Sequence, residues 1–357
     1  MKKEDSCIIV DTTLRDGAQM PGVEVSLKDK IRILSALSNA GITDIEAGFA
    51  ASSDYELNDL RTIIHEFPSL TLSVWARAKK EDIYAAHKTG ASAIHISFPS
   101  SSRHSLIASL SRSQVLQSLK DLILFAKQYF SRVTVGAQDA TRATKNFLVE
   151  FINCAADSGA FRIRIADTVG VSTPESTTEL IEYLKKRTFG IPLEFHAHND
   201  FGLATANALA AVNSGAEAVS VTVNGVGERA GNAALEQTVA ALSLLYAKKC
   251  NVHLNTLPLL CATVANAFKL KTQPHQPLVG NHAFTHESGI HCHGMLKDPL
   301  SYQPCEAKVV GRKEQYVIGK HAGSSTVQAY FKSYGFSMPR KMAFQIVRLY
   351  KKYPRGK

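Results

Sequence analysis

Residues 192–223 read PLEFHAHNDFGLATANALAAVNSGAEAVSVTV. This stretch begins with an apolar run that ends at His196, continues with a helical pattern, and closes at Gly215 just before the apolar run 218–223. A glycine just past a helix supplies the left-handed residue with which many helices end. The stretch therefore predicts a strand–helix–strand unit.

The same unit recurs along the first two thirds of the chain. Gly41, Gly90 and Gly159 also close helical patterns just before β-branched runs. The predicted strands are the runs at residues 7–11, 44–47, 70–74, 93–97, 133–135, 161–165, 192–196 and 218–223. Strands that alternate with helices in this number predict an α/β fold, a (β/α)₈ TIM barrel. A doubly wound sheet is the alternative, but its usual Gly-x-Gly-x-x-Gly turn after the first strand is missing.

The pattern changes after residue 250. Residues 274–325 hold many histidines, glycines and prolines with little periodicity, and a final helical piece follows Thr326. We expect a TIM-barrel catalytic domain over residues 1–260. A small C-terminal subdomain, helical and irregular, is expected over residues 261–357.

Composition excludes several classes of protein. The 357 residues are 45% hydrophobic and 20% charged, which is typical of a globular chain. No apolar run reaches the roughly 18 residues of a membrane helix, and the charged start does not look like a secretion signal. The 6 cysteines are scattered without a Cys-x-x-Cys pair, which favours a reducing cytoplasm.

The formal charge of +10 has two interpretations, nucleic-acid binding or attraction of small anionic substrates. Basic residues are spread along the chain without interleaved aromatic side chains, so we expect no nucleic-acid partner and no membrane partner. The one acid-free basic stretch, residues 340–357, is interpreted as a surface helix with a solvated basic face.

Polar residues cluster where the predicted strands end, and in a barrel that is where the chemistry lies. His196 and His198 are two apart on a strand, so both point to one face. Asp16 after the first strand and Asn232 after the eighth can converge with them, because these strands are neighbours in a closed barrel. Such nitrogen and oxygen ligands suit a divalent cation, Mg²⁺, Mn²⁺ or Zn²⁺. Structural histidines are the alternative.

Further strand-end residues are candidates for the reaction itself. Arg15 could stabilise an enolate oxygen, and Glu46 could orient a water molecule or Arg15, or form a plain buried ion pair. His95, Arg142 and Thr168 offer donors for a substrate carboxylate.

Histidines also accumulate in the appended segment. They are His282, His286, His291, His293 and His321. One or two of them could act as a general base over the barrel mouth, which is more plausible than a second metal site.

These residues resemble a known family. The stretches 11–17 (DTTLRDG), 196–200 (HAHND) and 223–232 (VNGVGERAGN) are similar to the signatures of the DRE-TIM metallolyases, in the branch of homocitrate, 2-isopropylmalate and citramalate synthases. Within that branch the chain resembles most the homocitrate synthases of nitrogen-fixing bacteria. That similarity is carried by residues 95–99 (HISFP), 135–140 (VGAQDA), 284–291 (FTHESGIH), 293–294 (HG) and 318–323 (IGKHAG).

The resemblance implies an acyltransferase that condenses acetyl-CoA with 2-oxoglutarate and water to give homocitrate and CoA. It implies metal ligation by Asp16, His196 and His198, with Asn232 completing the set in some members, and oxyanion stabilisation by Arg15.

The resemblance also implies which residues bind the substrate and which residue removes the proton. Thr168 would bind the substrate's α-carboxylate, and His95 and Arg142 its distal end. His291 or His321 would be the base, supplied by the partner subunit of a homodimer.

Departures from the family pattern keep other substrates open. Ala18 stands where Glu is common, and Gln138 stands where relatives usually carry Glu. The same chemistry on 2-oxoisovalerate or pyruvate is the alternative, and an acyl-CoA lyase is a third option. The chain stops at Lys357, so the resemblance implies no regulatory domain and no feedback by leucine or lysine.

Overall fold

A computed structural model of the protein describes residues 6–353. The charged start and the last basic residues, Arg355 and Lys357, lie outside this range. The chain forms two compact units. The first comprises residues up to 253 together with 263–270, and the second comprises residues 254–262 and 271 onward.

The first unit is a barrel of parallel strands. They are β1 (Ile8–Asp11), β2 (Asp44–Gly48), β3 (Thr71–Arg77), β4 (Ala93–Pro99), β5 (Arg132–Gln138), β6 (Arg162–Asp167), β7 (Leu193–Ala197) and β8 (Ala218–Val221). Each strand pairs with the next, and β1 also pairs with β8, so the sheet is closed. The predicted (β/α)₈ barrel is confirmed, and the doubly wound alternative is wrong because an open sheet would leave β1 and β8 unpaired.

Helices connect the strands. They are α1 (Leu27–Asn39), α2 (Asp54–Glu66), α3 (Lys80–His87), α4 (Ser102–Ile107), α5 (Arg112–Ala126), α6 (Lys145–Asp157), α7 (Pro174–Lys185), α8 (Ala204–Asn213) and α9 (Leu235–Leu244). A further helix, α10 (Leu257–Ala267), contributes residues to both units. The predicted helix ends are confirmed, since Gly41, Gly90, Gly159 and Gly215 all have positive φ.

The two faces of the barrel wall differ in chemistry. Ile45, Ile163 and Phe195 are fully buried, as expected for side chains that face the surrounding helices. Glu46 and Arg164 alternate with them and form an ion pair, although β2 and β6 are not neighbours in the barrel. That ion pair can only cross the barrel interior, so the inward face carries charge.

The second unit is small and mixed. Its elements are β9 (Thr285–His286), α11 (Gly289–Lys297), β10 (Gln315–Tyr316), α12 (Ser324–Ser333) and α13 (Arg340–Lys352). β9 and β10 form a parallel two-stranded sheet. One apolar cluster contains Phe284, Ala307 and Val310, and another contains Val327, Ala343 and Val347.

The predicted basic surface helix corresponds to α13. Ala343 and Val347 are buried, while Phe344 and Leu349 are more than half exposed. The helix therefore packs through one narrow stripe and exposes its basic side chains. Between residues 6 and 353, none of the helices combines the length and the apolar character that crossing a membrane requires.

Candidate active site

A cavity of about 220 Å³ opens at the C-terminal ends of the barrel strands. The predicted site residues that line it are Arg15, Asp16, His95, Thr168, His196 and His198. They come from within β4 and β7 and from the loops after β1, β6 and β7, so barrel closure brings together residues far apart in the sequence. The cavity lies entirely within the first unit.

Asp16, His196 and His198 form the tightest polar cluster at this cavity. The Nε2 atom of His196 lies 2.9 Å from Asp16 Oδ2 and 3.3 Å from His198 Nε2. The Nε2 atom of His198 lies 4.0 Å from the same carboxylate oxygen. All three residues are buried. Bonds of about 2.0–2.2 Å to one cation would place adjacent ligand atoms about 3 Å apart, close to this spacing.

Asn232 completes the donor set predicted from the sequence. It pairs through its backbone with His198 and is 2% exposed. Its Nδ2 donates to the carbonyl oxygen of Val226 (3.0 Å), whereas its buried Oδ1 has no hydrogen-bond partner among the described residues. Buried polar oxygens are rarely left unpaired, so this oxygen is available to a ligand. Asp16, His196 and His198 fit a divalent cation, and Asn232 offers a further oxygen donor on the segment that pairs with His198.

The electrostatics of the cluster favour the forms that bind metal. Burial would raise the pKa of Asp16, but the Arg15 guanidinium and the hydrogen bond from His196 outweigh it and hold the pKa well below its usual range. Burial and the neighbouring His196 lower the pKa of His198 to about 4. At neutral pH the cluster therefore offers an anionic carboxylate and a neutral His198 imidazole, which are the states that metal ligation requires.

Glu46 lies below Arg15 and fixes it. Its Oε1 pairs with Arg15 Nε, and its Oε2 lies 2.8 Å from Arg164 Nη2. Burial opposes ionisation of Glu46, but the two guanidinium charges prevail and lower its pKa to about 2. Glu46 is therefore an anion that orients Arg15. Of the three roles considered from the sequence, the contacts match the buried ion pair, through which Glu46 also holds Arg15, more directly than the orientation of a water molecule.

This pair belongs to an unbroken chain of alternating charges through the barrel, which we call the ion chain. Its members from mouth to base are Asp16, Arg15, Glu46, Arg164, Glu194, Arg162, Asp44 and Arg132. Glu194, in its middle, is 1% exposed and lies 2.7 Å from Arg162 Nε. The chain holds four cations and four anions, so its charges balance.

Sequence reasoning missed the lower part of this ion chain. Arg162 and Arg164 alternate with apolar residues in a predicted strand, and Glu194 does the same in the next strand. Charges at alternate positions of strands that are covered on their other face by helices must face the barrel interior. That alternation was the signal that could have revealed them.

His95 differs in its chemistry from the donor that the sequence predicts. Burial, with the charge of Arg164, lowers its pKa to about 3. Thr134 Oγ1 donates to the carbonyl oxygen of Ile94 (3.0 Å) and lies 3.0 Å from His95 Nδ1. Because the hydroxyl proton is already used, Nδ1 must be the donor in this contact. His95 is then neutral with a lone pair on Nε2, and offers a hydrogen-bond acceptor.

Arg142 and Thr168 have different surroundings. Arg142 donates to both carboxylate oxygens of Asp139 (2.7 and 2.9 Å) and is not among the residues that line the cavity. Thr168 does line the cavity, and its Oγ1 accepts the backbone N–H of Asp139 (2.8 Å). The hydroxyl proton of Thr168 therefore remains available as a donor.

The remaining predicted residues lie elsewhere. His291 and His321 belong to the second unit. There the His291 ring stacks on Tyr302 at 4.3 Å, and the backbone N–H of His321 donates to Glu287 (2.8 Å).

The two positions that depart from the family pattern both border cavities of the first unit. Gln138 lines the 220 Å³ cavity. Ala18 lines a second cavity of about 350 Å³ that shares Arg15 and Gln19 with the first. Each of these two positions thus contributes a neutral side chain, beside other carboxylates such as Asp16 in the first cavity and Glu56 in the second.

Comparison with known proteins gives the family. Residues 6–264 match the family described as HMGL-like. The chain belongs to this HMGL-like family. Residues 278–355 match a second description, a homocitrate synthase post-HMGL domain.

Named relatives of this HMGL-like chain are synthases. A putative (R)-citramalate synthase of Archaeoglobus fulgidus is 40% identical over 352 residues, which are 98% of this chain and 72% of the relative. 2-Isopropylmalate synthase 2 of Caldanaerobacter subterraneus is 40% identical over 97% of this chain and 93% of its own length. These names match the alternative substrates considered from the sequence better than homocitrate, and they do not support 2-oxoglutarate or nitrogen fixation.

A solved structure agrees on the fold of this HMGL-like chain. Hydroxymethylglutaryl-CoA lyase from Pseudomonas aeruginosa superposes with a TM-score of 0.68. The match covers 76% of this chain and 96% of the lyase at 21% identity. At that identity the likeness concerns the barrel and not the reaction.

Proposed function

We propose that this protein is an acyltransferase that condenses acetyl-CoA with a 2-oxo acid of uncharged side chain, such as pyruvate or 2-oxoisovalerate. The products would be a 2-hydroxy dicarboxylic acid of the citramalate or 2-isopropylmalate type and free CoA. The observation that carries the proposal is the buried Asp16–His196–His198 cluster with Arg15 fixed beside it. The names of the relatives support the choice of substrates.

Asp16, His196, His198 and Asn232 would hold the divalent cation. When bound, the cation supplies Lewis-acid polarisation of the acceptor's 2-oxo carbonyl. Arg15 would donate to the oxygen that becomes negatively charged during carbon–carbon bond formation. Because Glu46 holds the Arg15 guanidinium in place, little reorganisation is needed when that charge develops.

A general base would remove a proton from the acetyl methyl group. The resulting carbon nucleophile attacks the 2-oxo carbon, whose carbonyl oxygen takes up a proton as the new bond forms. Water then cleaves the thioester and releases CoA. His291 and His321 of the second unit remain our candidates for the base. Acetyl-proton exchange with solvent deuterium tests them, since His321→Ala or His291→Ala should slow it.

Thr168 would bind the α-carboxylate of the acceptor through its free hydroxyl proton. The charges around the cavity argue against a second carboxylate on the acceptor. The cations that line it each have a carboxylate partner, namely Arg15 with Glu46, Arg164 with Glu46 and Glu194, and Arg229 with Asp200. His95 presents an acceptor, which a carboxylate cannot hydrogen-bond.

2-Oxoglutarate is the second candidate acceptor, and two observations favour it. Residues 278–355 match the homocitrate synthase post-HMGL domain. Ser97 and Gln138 also line the cavity and could donate to a distal carboxylate without carrying charge. With this acceptor, Arg142 would serve the distal end only after leaving Asp139.

The test is thiol release from acetyl-CoA with pyruvate, 2-oxoisovalerate and 2-oxoglutarate, each with Mn²⁺ or Mg²⁺ and again with a chelator. We expect metal-dependent release with a monocarboxylic 2-oxo acid as the preferred acceptor. Preference for 2-oxoglutarate would establish the second candidate. No release with any of the three would refute the proposed activity and direct attention to acyl-CoA lyase chemistry.

A further inference from the structure

Arg229 is a residue of the 223–232 motif to which the proposed reaction assigns no role. It lies in the loop after β8, with a positive φ of 56° that is unusual for a residue other than glycine. Its Nε donates to Asp200 Oδ1 (2.8 Å) and its Nη2 to Asp200 Oδ2 (3.0 Å). The same Nη2 also donates to the carbonyl oxygen of Thr168 (2.9 Å). One guanidinium thus ties together the loops after β6, β7 and β8.

The glycines of these loops make room for this arrangement. A Cβ on Gly170 would lie 2.4 Å from Asp200 Oδ2, and the φ of Gly170 is +61°. A Cβ on Gly231 would lie 1.9 Å from the carbonyl oxygen of Gly225. Both positions therefore require glycine for the loops to approach this closely. Tight loops around a strained arginine indicate a position that the surrounding structure imposes.

Each loop tied by Arg229 carries one part of the site. The β6 loop carries Thr168, which lines the cavity, and Asp200 follows the predicted ligand His198 by two residues. Asn232, the predicted amide ligand, lies three residues after Arg229. A fixed arginine at this point sets the distance between the carboxylate-binding hydroxyl and the metal ligands.

We propose that the Arg229–Asp200 pair is a positioning latch that holds the acceptor-binding loop of Thr168 in register with the metal ligands. The inference rests on the proposed function for its meaning, but not for its test. The latch touches no reacting atom in this proposal, so its loss should weaken binding more than the chemical step. Exposed ion pairs usually contribute little to folding stability, so a purely structural role predicts little change in binding.

The bidentate contact of Arg229 allows its positioning role to be distinguished from the effect of its positive charge. Arginine can donate to both oxygens of a carboxylate and to a carbonyl at once, whereas the ammonium of lysine is a point charge on a flexible stem. Arg229→Lys therefore keeps the charge and loses the bidentate contact. Arg77 offers a matched control, because it is bidentate to Asp82 (2.7 and 2.9 Å) after β3 and does not line the cavity.

The experiment compares the full chain with Arg229→Gln, Arg229→Lys, Asp200→Asn and the control Arg77→Gln. Mn²⁺ affinity is measured by calorimetry without substrates, and thermal midpoints and steady-state kinetics are measured in parallel. We expect the three latch variants to bind Mn²⁺ about tenfold more weakly and to raise the acceptor KM by at least about tenfold, as for other groups that orient metal ligands. We expect kcat to stay within about threefold of the parent, and Arg77→Gln to match the parent throughout.

Several outcomes would overturn the latch. One is an unchanged Mn²⁺ affinity and KM in Arg229→Gln. Another is parental Mn²⁺ affinity and KM in Arg229→Lys, because the positive charge alone would then explain the effect. A lower kcat and a lower thermal midpoint together with the higher KM would indicate a structural role. If the parent chain turns over no 2-oxo acid, the proposed function fails, while the Mn²⁺ affinities still decide the latch.

Discussion

Two sets of buried polar side chains lie inside this barrel, the ion chain and the cluster at its mouth. They differ in whether their polar atoms are paired with one another. In the ion chain, every charge lies within ion-pair distance of an opposite charge, as Glu194 does between Arg162 and Arg164. In the cluster at the mouth, the Nε2 atoms of His196 and His198 converge on one carboxylate oxygen of Asp16, and Asn232 Oδ1 has no hydrogen-bond partner among the described residues. Unpaired buried polar atoms are costly, so their retention indicates a ligand that the ion chain does not need.

The largest effect should follow from removing a member of the mouth cluster. We expect His196→Ala to lower turnover at least about a thousandfold, because loss of Lewis-acid stabilisation costs several kcal/mol. The thermal midpoint without metal should change little, since no paired charge is orphaned. Steady-state thiol release and a melting curve check both points. Metal-dependent turnover close to that of the parent would show that His196 is not a metal ligand. The contrast between a ligand-binding cluster and a self-paired ion chain would then fail.

The next effect should come from breaking the ion chain. We expect Glu194→Gln to destabilise the fold by about 3–5 kcal/mol, because Arg162 and Arg164 both lose a buried counter-charge. Urea unfolding measures this. Glu179→Gln is the matched control, since Glu179 pairs with Lys145 (2.7 Å) at an exposed site and its loss should cost about 0–1 kcal/mol. Equal losses of unfolding free energy in the two variants would show that burial does not increase the contribution of an ion pair in the ion chain to stability.

The sequence predicted the barrel because its signals are local. Four helix ends are marked by a glycine, among them Gly41 and Gly215, and each strand was marked by its own apolar run. The positions where strands end then follow from the fold class. That was enough to predict that Asp16, His196 and His198 converge, and their ligand atoms lie within 4.8 Å of one another in the structure.

The contacts of individual side chains could not be predicted in the same way. Arg162 and Asp44 are 118 residues apart, and their pairing depends on the register of a closed barrel. Arg142 donates to Asp139, whose backbone is left-handed (φ 61°), and the spacing of these residues in the sequence did not predict the contact. Composition identified the charges, and only the three-dimensional arrangement identified their partners.

Metal addition should sharpen the comparison, since it acts on the open cluster alone. At a free Mn²⁺ concentration of 100 times Kd, linkage predicts a gain of about 2.7 kcal/mol in the free energy of unfolding. The gain should disappear with a chelator and be absent in His196→Ala, while Glu194→Gln should retain it. Urea unfolding with and without Mn²⁺ measures the gain. A gain that persists in His196→Ala would place the metal elsewhere.

The smallest effect concerns His95, which is buried beside charges of the ion chain. Its folded pKa of about 3, set by burial and by Arg164, is below the value of about 6.5 in an unfolded chain. A depressed histidine pKa contributes stability above pH 6.5 that is lost as pH falls toward 3. From pH 7 to pH 5 the loss reaches about 2 kcal/mol for one proton. His95→Gln cannot take up that proton, so its unfolding free energy should fall less than that of the parent from pH 7 to pH 5.

The paired Glu46, with a pKa of about 2, stays ionised across this window in both chains and cancels in the difference. If the unfolding free energies of the two chains fall equally with pH, the pKa of His95 is the same in the folded and unfolded states. That result would mean that neither burial nor Arg164 opposes its protonation.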